Sequence, residues 1–367
     1  SVRYLRSAGV VQAGGGAQNF QMFNGLKPHS VMVPGGQCAT VGVAGLTLGG
    51  GLGFSVRRFG TTSDNLIETD VVTADGKILT CNSSQNSDLF WGLRGGAGGN
   101  FGINTSFRYE SHPADDAVVF ELEWNGKDAE KIVPAWFEML AKAPDTLSGI
   151  LWFYPVPEEP GNFFVGTVGQ LYGSEEEARD IFTPMETAAK PSSYEFHPGT
   201  YWQATSRLGK SSDAPTAYQD RSRYIAEPFT GKGLETLIAQ VKKFPALPNT
   251  EADISVFAWG GAVSSESPSE TAFVHRDPIA LIKYSGVWLP SKASEDARER
   301  TLAWNNEMFE AMEPYSTRSS FQNFPDPELD DWQSAYYGEN FDRLVKLKAQ
   351  VDPDNVFRYP QSIPTST

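Results

Sequence analysis

The stretch Pro34–Gly53 holds eight glycines in twenty residues, at positions 35, 36, 42, 45, 49, 50, 51 and 53. Ordering a glycine costs more backbone entropy than ordering any other residue, so such a cluster requires a compensating reason. One reason is that a backbone without Cβ atoms lets its N–H groups come close to a bulky anionic ligand. A second run, Arg94-Gly95-Gly96-Ala97-Gly98-Gly99-Asn100-Phe101-Gly102, follows a strand-like segment. Val41, Val43, Leu46, Leu48, Phe101 and Ile103 thread both runs with apolar side chains that need burial, which argues against flexible surface turns. The two runs are therefore expected to cradle one large cofactor, with Cys38 held where that ligand would lie. Neither run contains G-x-G-x-x-G, and Gly209-Lys210-Ser211 has Ala204 where a P-loop places its first glycine. A mononucleotide P-loop is excluded, and a Rossmann loop is disfavoured.

Pattern predicts an α+β chain. Residues 9–13, 66–74 and 103–109 read as strands, residues 31–33 lead into the first glycine run, and Asp75-Gly76 reads as the hairpin turn into 78–80. Helical stretches are expected at 14–28 and 88–91. From Ala117 the character changes to strands alternating with amphipathic helices. Strands are predicted at 118–124, 149–156, 162–169, 254–259 and 279–288, and helices at 128–143, 174–189, 233–244 and 294–312. Ile132, Val133, Trp136, Phe137 and Leu140 recur at helical spacing, so one face of 128–143 must be buried. Ser174 with Glu177 has the spacing of a capping box. A last helix covers 340–350, and Pro353 stops it. The middle segment thus suggests one sheet backed by helices.

Charge narrows the partners. With 30 Lys and Arg against 45 Asp and Glu the net charge is −15, which disfavours a nucleic-acid partner. Nine Trp, 23 Phe and 13 Tyr within 40% hydrophobic content belong to a folded globular protein, and no apolar run reaches the length of a membrane span. Two cysteines, Cys38 and Cys81, allow a single bridge and no disulfide framework. Asn82-Ser83-Ser84 lies in a polar turn and can accept a glycan, whereas Asn104-Thr105-Ser106 falls in an expected buried strand. An extracellular location is expected. No His, Cys, Asp or Glu cluster has metal-ligand spacing, so no metal is expected.

The ordered motifs carry a resemblance. Gly35-Gly36-Gln37-Cys38-Ala39-Thr40-Val41-Gly42 and Gly49-Gly50-Gly51-Leu52-Gly53 are followed by Arg58-Phe59-Gly60, Asp64-Asn65, Val71–Gly76, Asp88–Trp91 and Gly95–Gly102. Near the end stand Tyr336-Tyr337-Gly338-Glu339-Asn340, Asp352-Pro353, Asn355-Val356-Phe357 and Gln361-Ser362-Ile363-Pro364. A weaker central match is Gly260-Gly261 with Ala272–Arg276. Together these resemble the berberine-bridge-enzyme-like branch of the vanillyl-alcohol-oxidase superfamily, over most of the chain. The resemblance implies the second half of a vanillyl-alcohol-oxidase-type FAD-binding domain, at 1–113 and 326–367. It also implies a substrate domain at 114–325 whose antiparallel sheet, backed by helices, roofs the flavin. It assigns FAD as cofactor, linked through Cys38. Val41, Gly42, Gly45, Gly50, Gly53, Asn65, Gly99, Asn100, Gly102, Ile103 and Asn340 become the other cofactor-binding candidates. The family's second flavin-linking residue, a histidine in Arg-Ser-Gly-Gly-His, has no counterpart here; an upstream companion segment or chain is expected to supply it.

An alcohol oxidation needs a group that takes the hydroxyl proton while hydride leaves to the flavin. Sugar-oxidising relatives place a Tyr–Asp pair at positions that read Phe324 and Phe257 here, and Phe can do neither job. The catalytic candidates are then Lys283, Tyr284 and Tyr337. A lysine under an apolar roof would have a depressed pKa and serve as base, or would stabilise anionic reduced flavin. His275-Arg276 is expected to be structural. Val41 is the small residue that implies an open path for O2, hence an oxidase acting on a small organic substrate. The alternative is a non-catalytic binding protein on a degenerate oxidase scaffold.

Overall fold

The structure, a computed structural model, describes residues 1–209 and 215–366. Lys210 and Ser211 of the rejected P-loop lie outside the described residues. The chain opens with β1 (Val2–Leu5), β2 (Val10–Gly14), α1 (Asn19–Leu26) and β3 (Val31–Met32). Two short helices, α2 (Val43–Leu48) and α3 (Val56–Phe59), lie in and just after the first glycine run. Then come β4 (Leu66–Val72), β5 (Ile78–Asn82), α4 (Ser87–Gly92), β6 (Ile103–Glu110) and β7 (His112–Pro113). Five of these strands form an antiparallel sheet in the order β1-β2-β6-β4-β5.

A second antiparallel sheet follows. Its elements are β8 (Ala117–Asn125), α5 (Ala129–Lys142), β9 (Leu147–Pro155), β10 (Phe163–Leu171), α6 (Glu175–Ala188), β11 (Ser193–Gly199) and α7 (Tyr201–Leu208). They continue with β12 (Ala217–Ile225), α8 (Gly231–Lys242), β13 (Thr250–Ala258), β14 (Ala280–Trp288) and α9 (Glu295–Met312). The seven strands run β11-β8-β10-β9-β13-β14-β12. The tail carries α10 (Trp332–Tyr337) and α11 (Phe341–Val351). The α+β architecture with a helix-backed antiparallel sheet is as expected. We propose 1–113 with 326–367, and 114–325, as its two domains; the separate sheets support that division.

Alternation splits the second sheet into two faces. Leu151, Phe153, Ile254, Val256, Ile282 and Tyr284 join the core with the helices. Ile150, Phe257 and Leu281 pack in a separate aromatic cluster with Trp259, Phe273 and Phe321. The first layer is held by α5, whose Trp136 indole donates to Thr167 at 3.1 Å, and by α9. Ser174 accepts from the Glu177 N–H and caps α6 as its sequence implies.

Some elements depart from expectation. The helix expected over 14–28 begins only at Asn19, because Val10–Gly14 continues as a strand against β6. Strand β12 has no sequence signature: Arg221 and Arg223 sit in it like solvent-facing residues, yet both are buried. Their guanidiniums lie 3.9 and 4.7 Å from the Phe309 ring, and Arg221 donates to Asp326 at 2.8 Å. Tertiary pairing overrides the charge pattern there.

Two largely buried ion pairs tie distant segments together. Arg276 is bidentate to Asp64, at 2.8 and 2.9 Å. Lys348 donates to Asp352 at 2.6 Å, and to the carbonyls of Asn100 (2.7 Å) and Phe357 (2.6 Å). Burial acts to raise the Asp352 carboxyl, but Lys348 and the N–H groups of Phe357 and Val356 outweigh it and hold it below its ordinary value. Lys348→Met leaves that carboxylate buried alone and should cost about 3–5 kcal/mol, read from the urea midpoint at pH 7. The Asp352 contribution is complete above about pH 4 and is lost as pH falls through its lowered folded value. The gap between wild type and variant should therefore narrow below pH 4.

Candidate functional site

The loop carrying Cys38 is stapled to the start of α1. Buried Asn19 donates through its side chain to the carbonyls of Gly36 (3.2 Å) and Cys38 (2.9 Å). Its N–H donates to the Val41 carbonyl at 3.0 Å, and that of Phe20 to the Ala39 carbonyl at 2.9 Å. This fixes Cys38, half-buried, at the edge of a cavity of about 700 Å³ between the first glycine run and the second sheet. Cys38 and Cys81 are not joined by a disulfide. Cys81 is buried in β5, and burial pushes its thiol up to about 12.

Cys38, Val41, Gly42, Gly45 and Gly53 all line the cavity. Leu52, Phe54, Ile150, Phe257, Phe321 and Phe324 supply apolar walls. A Cβ built on Gly42 or Gly45 would meet nothing within 4 Å, so the hollow beside Cys38 is not filled by the protein's own side chains. Apolar walls, a thiol at one edge and open backbone fit the ring system of a flavin. Other glycines of the run are there for packing. A Cβ on Gly53 would lie 1.9 Å from the Gly35 carbonyl oxygen, and one on Gly50 would strike the Phe273 ring at 2.7 Å.

The second glycine run is hydrogen-bonded to the first, through Gly95 and Ala97 N–H groups donating to the Leu48 carbonyl at 3.0 and 2.9 Å. It does not line the cavity. Asn100 instead holds the Gly96 carbonyl (2.9 Å) and the Ile363 N–H (2.9 Å). Gly102 lies against the Val72 carbonyl, Gly99 packs beside Tyr359, and Ile103 is 57% exposed at the end of β6. Asn65 donates to the Phe59 and Thr61 carbonyls, and Asn340 to those of Pro268 and Thr271. Gly50, Asn65, Gly99, Asn100, Gly102, Ile103 and Asn340 do not line this cavity, and they stay proposals as cofactor contacts.

Of the catalytic candidates, only Lys283 reaches the cavity. Tyr284, next along β14, points to the helix layer against Phe309, with its hydroxyl buried and unpartnered. Tyr337 is buried in the tail between Trp332 and Phe341. Neither can touch a substrate there. Lys283 also differs from expectation. It donates to Asp253 (3.0 Å) and Ser285 (2.8 Å), with Asp220 at 3.8 Å. Burial lowers its pKa, but Asp253 and Asp220 prevail and the net shift is upward, so it remains an ammonium. Ser285 donates to Asp220 and Ser255 to Asp253, completing a polar cluster on the cavity wall.

Sequence reading missed the two carboxylates. The β13 strand was expected from 254, one residue beyond Asp253, and Asp220 lies on the unsuspected β12. The signal available was alternation, which puts Asp253, Ser255 and Phe257 on one face. His275 is structural as expected; burial pushes its imidazole down to about 3, where it stacks on Tyr224 at 4.3 Å. Its neighbour Arg276 pairs with Asp64 instead. One ligand-type group does assemble: Glu121, Glu195 and His197 come within 4.8 Å of one another, with Arg207 bonded to Glu121 at 2.9 Å.

Residues 2–82 match the "FAD binding domain" family model, and residues 320–364 match "Berberine and berberine like". The FAD-linked oxidoreductase YvdP of Bacillus subtilis is 33% identical over 347 residues, covering 94% of this chain and 76% of YvdP. The chain belongs to the berberine-bridge-enzyme-like family of FAD-linked oxidoreductases. It is an enzyme with FAD as cofactor, which sets aside the non-catalytic alternative. BBE-like 1 of Physcomitrella patens superposes with a TM-score of 0.87 at 25% identity, over all of this chain and 80% of that one. Glucooligosaccharide oxidase of Acremonium strictum, which carries a 6-S-cysteinyl, 8α-N1-histidyl FAD, has the same fold, with a TM-score of 0.85 at 23% identity over 97% of this chain and 78% of its own. Among the described residues of this oxidoreductase, no helix is long and apolar enough to cross a membrane.

The two kinds of glycine separate experimentally. Gly45→Ala sits inside α2, where Ala is favoured by about 0.5–1 kcal/mol, so the melting temperature should hold or rise. Its methyl projects into the cavity, and bound flavin per polypeptide should fall. Gly53→Ala should lower stability by about 1–3 kcal/mol, because a rigid carbonyl is in the way.

Proposed function

We propose that this oxidoreductase oxidises an alcohol-type or related small organic substrate and uses O2 as final acceptor, with Cys38 as a covalent anchor for the cofactor. Support for the anchor comes from the Cys38 loop at the cavity edge and from the cysteinyl linkage in the glucooligosaccharide oxidase. Support for O2 is the small Val41 side chain on the cavity wall, 38% exposed. An extracellular location is proposed from the Asn82 sequon and the acidic composition.

FAD, when bound, supplies the acceptor for the substrate's hydride. The protein's task is to take the hydroxyl proton. Lys283 cannot accept it, being an ammonium already. Asp253 is engaged at both oxygens, by Lys283 on Oδ2 and Ser255 on Oδ1. Asp220 accepts from Ser285 through Oδ1 and has Lys283 only at 3.8 Å, so we assign it as the proton acceptor. Lys283 and Asp253 position it and limit the repulsion between two carboxylates that share one cation. Leu52, Phe54 and Phe324 exclude water from the same wall. The observation that carries this reading is the Lys283-centred pair of carboxylates facing the Cys38 hollow. Phe257 and Phe324, where sugar oxidisers hold their acid–base pair, leave this cluster as the charged group of the wall among the described residues.

Anaerobic stopped-flow reduction of the flavin tests the assignment. Asp220→Asn should slow reduction at least about 100-fold, the lower range for loss of a general base. Asp253→Asn should act mainly on KM. The reverse ranking would transfer the role to Asp253, and unchanged rates in both would refute a carboxylate base.

A further inference from the structure

The open face of the seven-stranded sheet holds a second hollow of about 570 Å³. Ile150, Asp253, Ser255 and Val287 line both it and the cavity beside Cys38, so the two form one trough. Strand register gives its axis: Lys283 pairs with Ser255, Ser255 with Trp152, Trp152 with Gly166, and Gly166 with Glu123. Adjacent strands are about 4.8 Å apart, so Trp152 lies about 10 Å from Lys283, and Glu123 about 10 Å further. A Cβ on Gly166 would stand 2.2 Å from Trp152 Cζ2. The bare backbone at 166 is therefore what lets the indole lie across the sheet as the floor of the trough.

Around this floor stand Tyr154, Glu121, Glu123, Glu251 and Asp253, and among the described residues no Lys, Arg or His lines the hollow. Two cations approach from its ends: Arg207 of α7 is bonded to Glu121 at 2.9 Å, and Lys283 to Asp253 at 3.0 Å. His197 lies 3.7 Å from Glu121. Ser192 donates to Glu123 at 3.1 Å. Negative charge thus exceeds positive around an aromatic face.

We propose that the trough is a distal subsite that takes an organic ammonium group, seated on Trp152 about 10 Å from the atom undergoing oxidation. An aromatic face ringed by carboxylates attracts an alkylated ammonium through the ring quadrupole and the surrounding charge together. The same charge repels carboxylate and phosphate substrates. The subsite rests on the proposed oxidation only for its position relative to the reacting carbon.

The probe pair is (6-hydroxyhexyl)trimethylammonium and its uncharged isostere 7,7-dimethyloctan-1-ol, with the flavin-loaded enzyme. Calorimetric titration should show the cation binding about tenfold or more tighter at low salt, with the advantage shrinking as salt is raised. Trp152→Ala and Glu123→Gln should each remove most of that preference, and Glu123→Gln should leave the neutral alcohol's affinity unchanged; Glu123→Gln also keeps the test valid should Trp152→Ala fold poorly. Equal binding of both probes, or a preference indifferent to both variants, would overturn the subsite, as would Trp152-dependent binding of neutral cello-oligosaccharides tighter than the cation. Turnover is scored separately. A cation that binds through Trp152 but is not oxidised upholds the subsite and removes the alcohol reading. Oxidation of both probes without preference does the opposite.

Discussion

The architecture depends on a backbone-to-backbone contact. Gly53 lies so close to the Gly35 carbonyl that no side chain fits between, and Gly95 meets the Phe273 backbone in the same way, with a Cβ there 2.3 Å from the Phe273 nitrogen. These contacts let the glycine runs close against each other and against the segment 271–276. Polar ties then lock the arrangement: Arg276 to Asp64, and Lys348 between Asp352 and the Asn100 carbonyl. Because each ion pair is largely buried and satisfied on several sides, it specifies one docking geometry where apolar packing alone would tolerate several.

That closure leaves one side of the first glycine run facing a hollow. Gly42 and Gly45 face open space, Asn19 holds the Cys38 loop from behind, and the second sheet provides the opposite wall. Leu52, Phe54, Ile150, Phe257, Phe321 and Phe324 give the wall its apolar part, and among the described residues its charged groups form one cluster in which two carboxylates share one ammonium. Such an arrangement keeps Lys283 charged, the reverse of what a lysine in apolar surroundings would do. The same strands continue outward into the Trp152 trough, so the reacting end and the distal end of a substrate would rest on one rigid surface.

Much of the framework was legible in the chain. Strand-like runs gave β8, β9, β10 and β14, and the 3.6-residue period gave α5, because each is largely buried in or against a large core. Where the reading failed, tertiary partners were decisive. Arg221 and Arg223 make β12 look solvent-exposed, and only the Phe309 ring and Asp326 explain their burial. The glycines of the second run look like ligand contacts, yet Asn100 and Gly102 serve the docking of the tail and of β4. A glycine needed for packing and one needed for a ligand are identical in sequence.

By itself the sequence determined the fold family, the cofactor and the loop that carries Cys38, since these reside in contiguous, ordered motifs. Phe at 257 and 324, which has no proton to exchange, also sets it apart from the pattern that the resemblance implies for sugar oxidisers. Only the tertiary structure decided which polar groups meet across the cavity. Asp220, Asp253 and Lys283 come from three strands separated by long stretches of chain, and they meet only through strand pairing, which no local pattern encodes.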